Sequence, residues 1–187
     1  MVYDGVIEGR YVDLRSATEV DAEFTLAVRQ DPEFNKYLPR VNNTLEQQKA
    51  WIKKQREKEG DYFFVVWDKG GERLGTISIY DIQGDQAEAG RLTMRGNALQ
   101  SVEAQLLSFY FGFNDLGLKE IVSYIYAENA RALRFTQQFG GLLHEPFENE
   151  NGQMECKATN SKEDFDTCEK KLSALIYREK RQKINNN

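Results

Sequence analysis

The sequence predicts a mixed α/β fold, on three observations. Helical apolar spacing runs from Val20 to about Lys58, a period of two takes over from Asp61 to Met94, and a strand–helix–strand unit then closes the pattern. Antiparallel hairpin strands followed by such a unit give one mixed sheet flanked by helices. The 187 residues fit one domain over about 1–179, with a polar tail at 180–187.

The elements follow in order. Tyr11-Val12-Asp13-Leu14-Arg15 alternates apolar and polar side chains and reads as a half-buried strand. Thr18 and Asp21 cap a helix over Val20–Arg29. The stretch from Gln30 to Pro39, with two prolines, is a loop or a short helical turn. Thr44 and Gln47 form a capping box for a helix to about Lys58. Asp61–Trp67 and Arg73–Tyr80 are strands joined by a turn at Asp68-Lys69-Gly70-Gly71-Glu72, and Ala87–Met94 is the next strand. Ser101–Leu116 is a helix stopped by Gly117. Lys119–Tyr126 is a strand, and Asn129 caps a helix that ends at Gly140-Gly141. Leu142–Glu148 and Gln153–Thr159 form a last hairpin around Asn151-Gly152. Ser161 starts a helix to about Arg178, whose Leu172, Leu175 and Ile176 suit either its own core or a homodimer face.

Composition excludes several function classes. Hydrophobic residues make up 40% and charged residues 29%, which is globular. The net charge of −5 disfavours general nucleic-acid binding, which needs a cationic face. One histidine, His144, and two cysteines, Cys156 and Cys168, leave little for a zinc site or a histidine-dependent triad, so no metal is expected. No apolar run reaches bilayer length. Met1 to Arg10 contains Asp4 and Glu8 without an apolar core, so no signal peptide and a cytoplasmic location are expected.

The junction from Met94 to Ala104 is the first place where chemistry could sit. A strand ends, a short loop of small and polar residues follows, and a helix begins. The free N–H groups of a helix start attract an anion, and a pyrophosphate would fit. An ordinary strand–helix turn capped by Ser101 explains the same residues.

The order of elements and several short motifs resemble the GNAT superfamily of acetyl-CoA-dependent N-acetyltransferases. The branch with ribosomal-protein alanine, spermidine and nucleotide-aminosugar acetyltransferases is the more similar part. Gly9–Arg15 resembles the family's opening strand, Glu72–Ser78 its third and Ala87–Leu92 its fourth. Glu103–Phe113 with Leu116-Gly117-Leu118 resembles its central helix, and Asn129–Phe135 with Phe139-Gly140 its penultimate helix.

The resemblance implies acetyl-CoA as co-substrate, lying where the fourth strand splays from the fifth. Its pyrophosphate would meet the loop Arg95, Gly96, Asn97, Ala98, Leu99, Gln100 and Ser101, with Leu92, Thr93 and Met94 leading into it. Asn129 would bond the pantetheine arm and Arg131 a phosphate. The loop departs from the family pattern: Ala98 and Gln100 stand where glycines are expected, with Gly96-Asn97 as the alternative tight point.

Glu88 is the general-base candidate, because an amine acceptor arrives protonated and must lose a proton before it attacks. A solvated surface charge is the other reading. Thr136 stands where the family often has a tyrosine acid and would act by ordering a water; Tyr126 and Tyr124 are replacements or plain strand aromatics. Phe34, Tyr37 and Arg40 would hold the acceptor by stacking and by charge. The acceptor is then a small-molecule amine, a nucleotide-linked aminosugar or polyamine, or a peptide N-terminus. A non-catalytic CoA-binding or interaction domain on the same fold is the alternative.

Overall fold

The computed structural model describes residues 3–39 and 41–178. Nine strands form one sheet: β1 (Val6–Glu8), β2 (Val12–Ser16), β3 (Tyr62–Asp68), β4 (Arg73–Gln83), β5 (Gln86–Met94), β6 (Glu120–Tyr126), β7 (Leu142–Leu143), β8 (Phe147–Glu148) and β9 (Met154–Ser161). Six helices flank them: α1 (Ala22–Gln30), α2 (Pro32–Asn35), α3 (Leu45–Glu57), α4 (Ala98–Tyr110), α5 (Ala130–Gln138) and α6 (Lys162–Ile176). The sheet order is β1-β2-β3-β4-β5-β6-β9-β7, with β8 also on β9.

The class, a mixed sheet between helices, is the one expected. Every paired neighbour is antiparallel except β5 and β6, which run parallel. The larger core lies on one face, where Leu106, Phe109 and Phe113 from the α4 region meet Ile77, Ile79, Ile121, Phe139 and Phe165. A smaller core of Ala22, Ile52, Phe63 and Val65 packs α1 and α3 on the opposite face.

Several boundaries differ from the sequence expectation. The central helix starts at Ala98 with Asn97 as its cap, so Ser101 is an interior residue and not the cap. Asn97 and Gln100 complete a capping box, a pattern that Gln serves as well as Glu. The helix then widens into a π-turn over Phe111–Asp115 before Gly117 ends it at φ 71. A Cβ on Gly112 in that turn would fall 2.8 Å from Ile79 Cδ1 and 2.9 Å from Ile121 Cδ1, so glycine lets the turn press onto the sheet. The first predicted helix is a 3-10 turn, Glu19–Asp21, followed by α1. The last hairpin is two short strands, β7 and β8, both laid on the long β9. Strand β1 was not anticipated; three residues carry too little pattern to read.

The C-terminal helix buries Ile176 and part of Leu172 against its own core, leaving Leu175 exposed. The 180–187 tail lies outside the described residues. Among the described residues, no helix is long and apolar enough to cross a membrane, and no group of three or more His, Cys, Asp or Glu side chains could hold a metal. His144 Nε2 lies 2.9 Å from the Thr159 hydroxyl, and both cysteines are free.

Candidate active site

The site follows from one break in the sheet. β5 and β6 are in register only at Gln86↔Glu120, Ala87↔Ile121 and Glu88↔Val122. Beyond Glu88 the ladder stops, and the edge of β5 that faces β6 has no partner strand. A bulge on the other side of β5 accompanies the break. Ser78 pairs with Gly90 but Thr76 with Thr93, so one extra residue sits on β5. Arg91 takes it up at φ 50, a conformation rarely adopted by a residue with a Cβ. The Thr76 hydroxyl donates to the Arg91 carbonyl at 2.7 Å and holds the turn.

Between the parted strands lies a cleft of about 140 Å³, lined by Ala89, Gly90, Arg91 and Leu92 from β5 and by Ser123 to Tyr126 from β6. That volume is below the roughly 300–1,000 Å³ of drug-sized pockets, and suits a narrow linear arm. Asn129, Phe135 and Thr136 of the α5 region also line it. The cleft continues outward past Leu92, Thr93, Met94 and Ser101 on one side and Asn129 and Arg131 on the other. Asn129 Oδ1 accepts from the Ala132 N–H at 3.1 Å, so it caps α5 where it borders the cleft.

At the end of β5 the loop turns into α4. The Asn97 N–H donates to Gln100 Oε1 at 2.9 Å and the Gln100 N–H to Asn97 Oδ1 at 3.0 Å. The Ser101 N–H joins the helix ladder at the Asn97 carbonyl, 2.9 Å. The amides of Ala98 and Leu99 in the first turn are left for an anion. Gly96 is the tight point: a Cβ there would lie 2.9 Å from Gln100 Oε1 and 3.0 Å from Met94 Cε. Arg95 does not point freely at this loop. Its guanidinium pairs with Asp31 at 2.7 Å and covers the Phe34 ring at 5.1 Å. That contact ties the α2 segment to the outer cleft.

Of the acceptor-site candidates, Phe34 lines the outer cleft and Tyr37 lines both stretches of it, beside Leu92. They therefore stand with the cofactor candidates, not apart from them. Arg40 lies outside the described residues. Tyr126 and Thr136 both line the inner cleft; Tyr124 also reaches it, 45% exposed and edge-on to Phe147 at 6.2 Å.

Glu88 sits at the vertex, on the last paired residue before the strands part. It is absent from the cleft lining because its neighbours Ala87 and Ala89 face the larger core while Glu88 faces α1 and α3. The Tyr80 hydroxyl donates to Glu88 Oε1. Burial raises the carboxyl's pKa above its ordinary value, against the Tyr80 hydrogen bond and the Arg91 charge, which lower it; Asp81 and Glu155 add to the rise. Burial and the neighbouring Glu88 carboxylate hold the Tyr80 phenol well above its ordinary range, so Tyr80 remains a donor. A half-buried carboxylate with a raised pKa at a strand break is suited to taking a proton near neutral pH. Replacing Tyr80 with Phe removes the donor that favours the charged form. The acidic limb of the kcat/KM profile of Tyr80→Phe is therefore expected to move to higher pH; a limb that stays in place refutes the coupling.

Arg91 shares this face. Asp61, which is buried, chelates it at 2.6 and 3.1 Å, and it covers the Tyr80 ring at 4.1 Å and the Trp51 ring at 5.3 Å. The sequence carries no signal for Asp61, Tyr80 or the Arg91 side chain at this site, since their convergence depends on strand register and on the bulge.

With this geometry in hand, comparison with known proteins is informative. Residues 12–141 match the family model of the GNAT acetyltransferase domain. No curated protein matches the sequence. Among solved structures, apo FdhC, a nucleotide-linked sugar GNAT, is 18% identical with TM-score 0.76, over 94% of this chain and 97% of that one. A GCN5-related N-acetyltransferase from Brucella melitensis is 18% identical with TM-score 0.79, over 93% and 86%. The spermidine N-acetyltransferase from Vibrio cholerae, in complex with CoA and spermine, is 16% identical with TM-score 0.74, over 83% and 98%. At these identities the structures establish the shared fold. The family match covers well over half of the 187 residues, and the chain belongs to the GNAT acetyltransferases.

Proposed function

We propose that this protein transfers an acetyl group from acetyl-CoA to the primary amine of a small molecule. The observation that carries this reading is the parting of β5 and β6 after Glu88 and Val122. It leaves a narrow cleft that leads out past Met94 and Ser101, beside the start of α4 with its Ala98 and Leu99 amides.

The residues present fit the co-substrate. The unpaired edge of β5 offers backbone groups to a pantetheine arm, and Leu92, Thr93, Met94 and Asn129 border its path. The helix start with Gly96 before it offers amides to a diphosphate, and Arg131 adds charge at the rim. The glycine that the family pattern would place at 98 is thus offset by Gly96, two residues earlier. Acetyl-CoA, when bound, supplies a thioester-activated acetyl group.

The chain's own part is acid–base work and orientation. Glu88 takes the proton that the acceptor ammonium must lose, directly or through a water. Tyr80 holds that carboxylate in place by its hydroxyl. Thr136 and Tyr126 border the cleft and can order a water for the departing thiolate. Phe34 and Tyr37 close the outer cleft from the α2 side.

Calorimetry with acetyl-CoA tests the cofactor assignment, with binding expected in the micromolar range. Thiol release across aminosugar nucleotides, polyamines and peptide N-termini tests the transfer. Acetyl-CoA binding without turnover of any amine would favour the non-catalytic alternative; no binding would remove the transfer reading and leave an interaction domain.

A further inference from the structure

A second pocket opens on the α1–α3 face of the sheet, the face that carries Glu88. It encloses about 200 Å³ and is lined by Arg29, Gln48, Trp51, Phe63, Thr76 and Arg91 among others. Arg91 also lines the cleft between β5 and β6, so one residue borders both spaces.

The two arginines differ in one respect. Arg91 is neutralised by Asp61 through two hydrogen bonds. Arg29, on α1, donates from Nη2 to the Pro39 carbonyl at 2.8 Å. Its Nε is buried with no hydrogen-bond partner, and among the described residues no carboxylate pairs with it. Other half-buried guanidiniums have such a partner: Arg73 has Asp21 and Arg56 has Asp4. Burial and the Arg91 charge lower the Arg29 pKa. A guanidinium remains charged in proteins all the same, so an unpaired cation lines this pocket.

Burying an unpaired charge is costly, and burying a donor with no acceptor adds to the cost. A fold that only needed an apolar contact here would do better with Leu or Met. The neighbouring polar groups do not offer a countercharge. Gln48 donates to Thr25 at 3.0 Å and accepts from Asn43 at 3.2 Å. Trp51 and Phe63 form an aromatic wall, edge to face at 5.2 Å.

We propose that Arg29 completes an anion subsite, so that the acceptor is a primary amine bearing a carboxylate or phosphate, and that polyamines are poor acceptors. The planar fork of Arg29 suits either oxyanion, and Trp51 gives the carbon skeleton a flat surface. The net positive charge of the pocket repels a polycation. This rests on the acetyltransfer reading.

The test uses matched amines with saturating acetyl-CoA and thiol release as readout. Glucosamine 6-phosphate is set against glucosamine, and β-alanine against its amide, which separates phosphate from carboxylate; spermidine is the cationic arm. In one pair or both, the anionic member is expected to have a kcat/KM about tenfold or more above its neutral partner, with spermidine below both. Arg29→Met should erase that preference. Arg29→Gln, which keeps a neutral N–H donor at the end of the side chain, should erase it too and guards against a folding defect in the first variant; acetyl-CoA binding reports the fold of each. Neutral amines or spermidine matching the anionic ones, or a preference that survives both variants, overturns the proposal. If no amine is turned over, the transfer reading itself fails, and calorimetry of inorganic phosphate into CoA-saturated protein decides the subsite. Phosphate binding lost in Arg29→Gln supports it, and no binding to the wild type refutes it.

Discussion

Glu103→Ala is expected to cost about 3–5 kcal/mol of stability and to lower the melting temperature by roughly 10 °C. Glu103 lies on α4 and is fully buried, in the core between that helix and β2. Its carboxylate accepts three backbone N–H groups, from Arg10 at 2.8 Å, Tyr11 at 2.6 Å and Val12 at 2.8 Å. These amides belong to the turn that leads into β2, and the carboxylate supplies their acceptors. Removing it leaves three donors without their acceptor, Val12 fully buried and the other two partly so, as well as a cavity. Glu103→Gln should recover only part of the loss. An amide has one acceptor oxygen, and its NH2 group would face an N–H that now meets an oxygen. Thermal denaturation of both variants checks this; a loss under about 1 kcal/mol in Glu103→Ala would show that the turn is held by other contacts.

Glu88→Gln is expected to lower kcat by about 10²-fold or more while leaving acetyl-CoA affinity unchanged. The variant keeps the size of the side chain and removes the base. Glu88 lies outside the residues lining the cleft, which is why cofactor binding is spared. Unchanged turnover would exclude Glu88 as the base. Burial raises the Glu88 pKa, so the folded chain binds this proton more tightly than the unfolded chain does. Stability from this group is therefore highest at low pH and declines as pH rises from the unfolded value through the folded one. Activity moves the other way, since only the deprotonated carboxylate accepts a proton. Glu88→Gln should flatten both dependences, which a pH series of melting temperatures and of residual kcat/KM would record.

The elements that sequence reading placed well are those with local causes. Thr44 and Gln47, or Asn129 ahead of α5, cap their helices through bonds three residues long, and such bonds are written in the sequence. The period of two from Tyr62 to Met94 marks β3, β4 and β5 because one face of each strand must be apolar. The start of α4 was misplaced although its signal was present. Asn97 with Gln100 is a capping box, ahead of the serine cap that the sequence reading uses.

The chemistry was legible only in part. Glu88, the loop from Arg95 to Ser101 and Asn129 are marked by motif; Ser101 and Asn129 border one cleft, Arg95 to Gln100 do not line it, and Glu88 stands at the strand break. Arg29 carries no sequence signal: it reads as the cationic end of a short amphipathic helix, well suited to the dipole.

Sequence by itself determined the mixed α/β class, the run of strands and helices and the family, because these depend on periodicity and on short-range caps. Tertiary structure decided where β5 leaves β6, that Arg91 turns at a positive φ to meet Asp61, and that no carboxylate among the described residues pairs with Arg29. Each of these is a meeting of residues tens of positions apart, or a gap between them, and its energy depends on burial and register that no local pattern encodes.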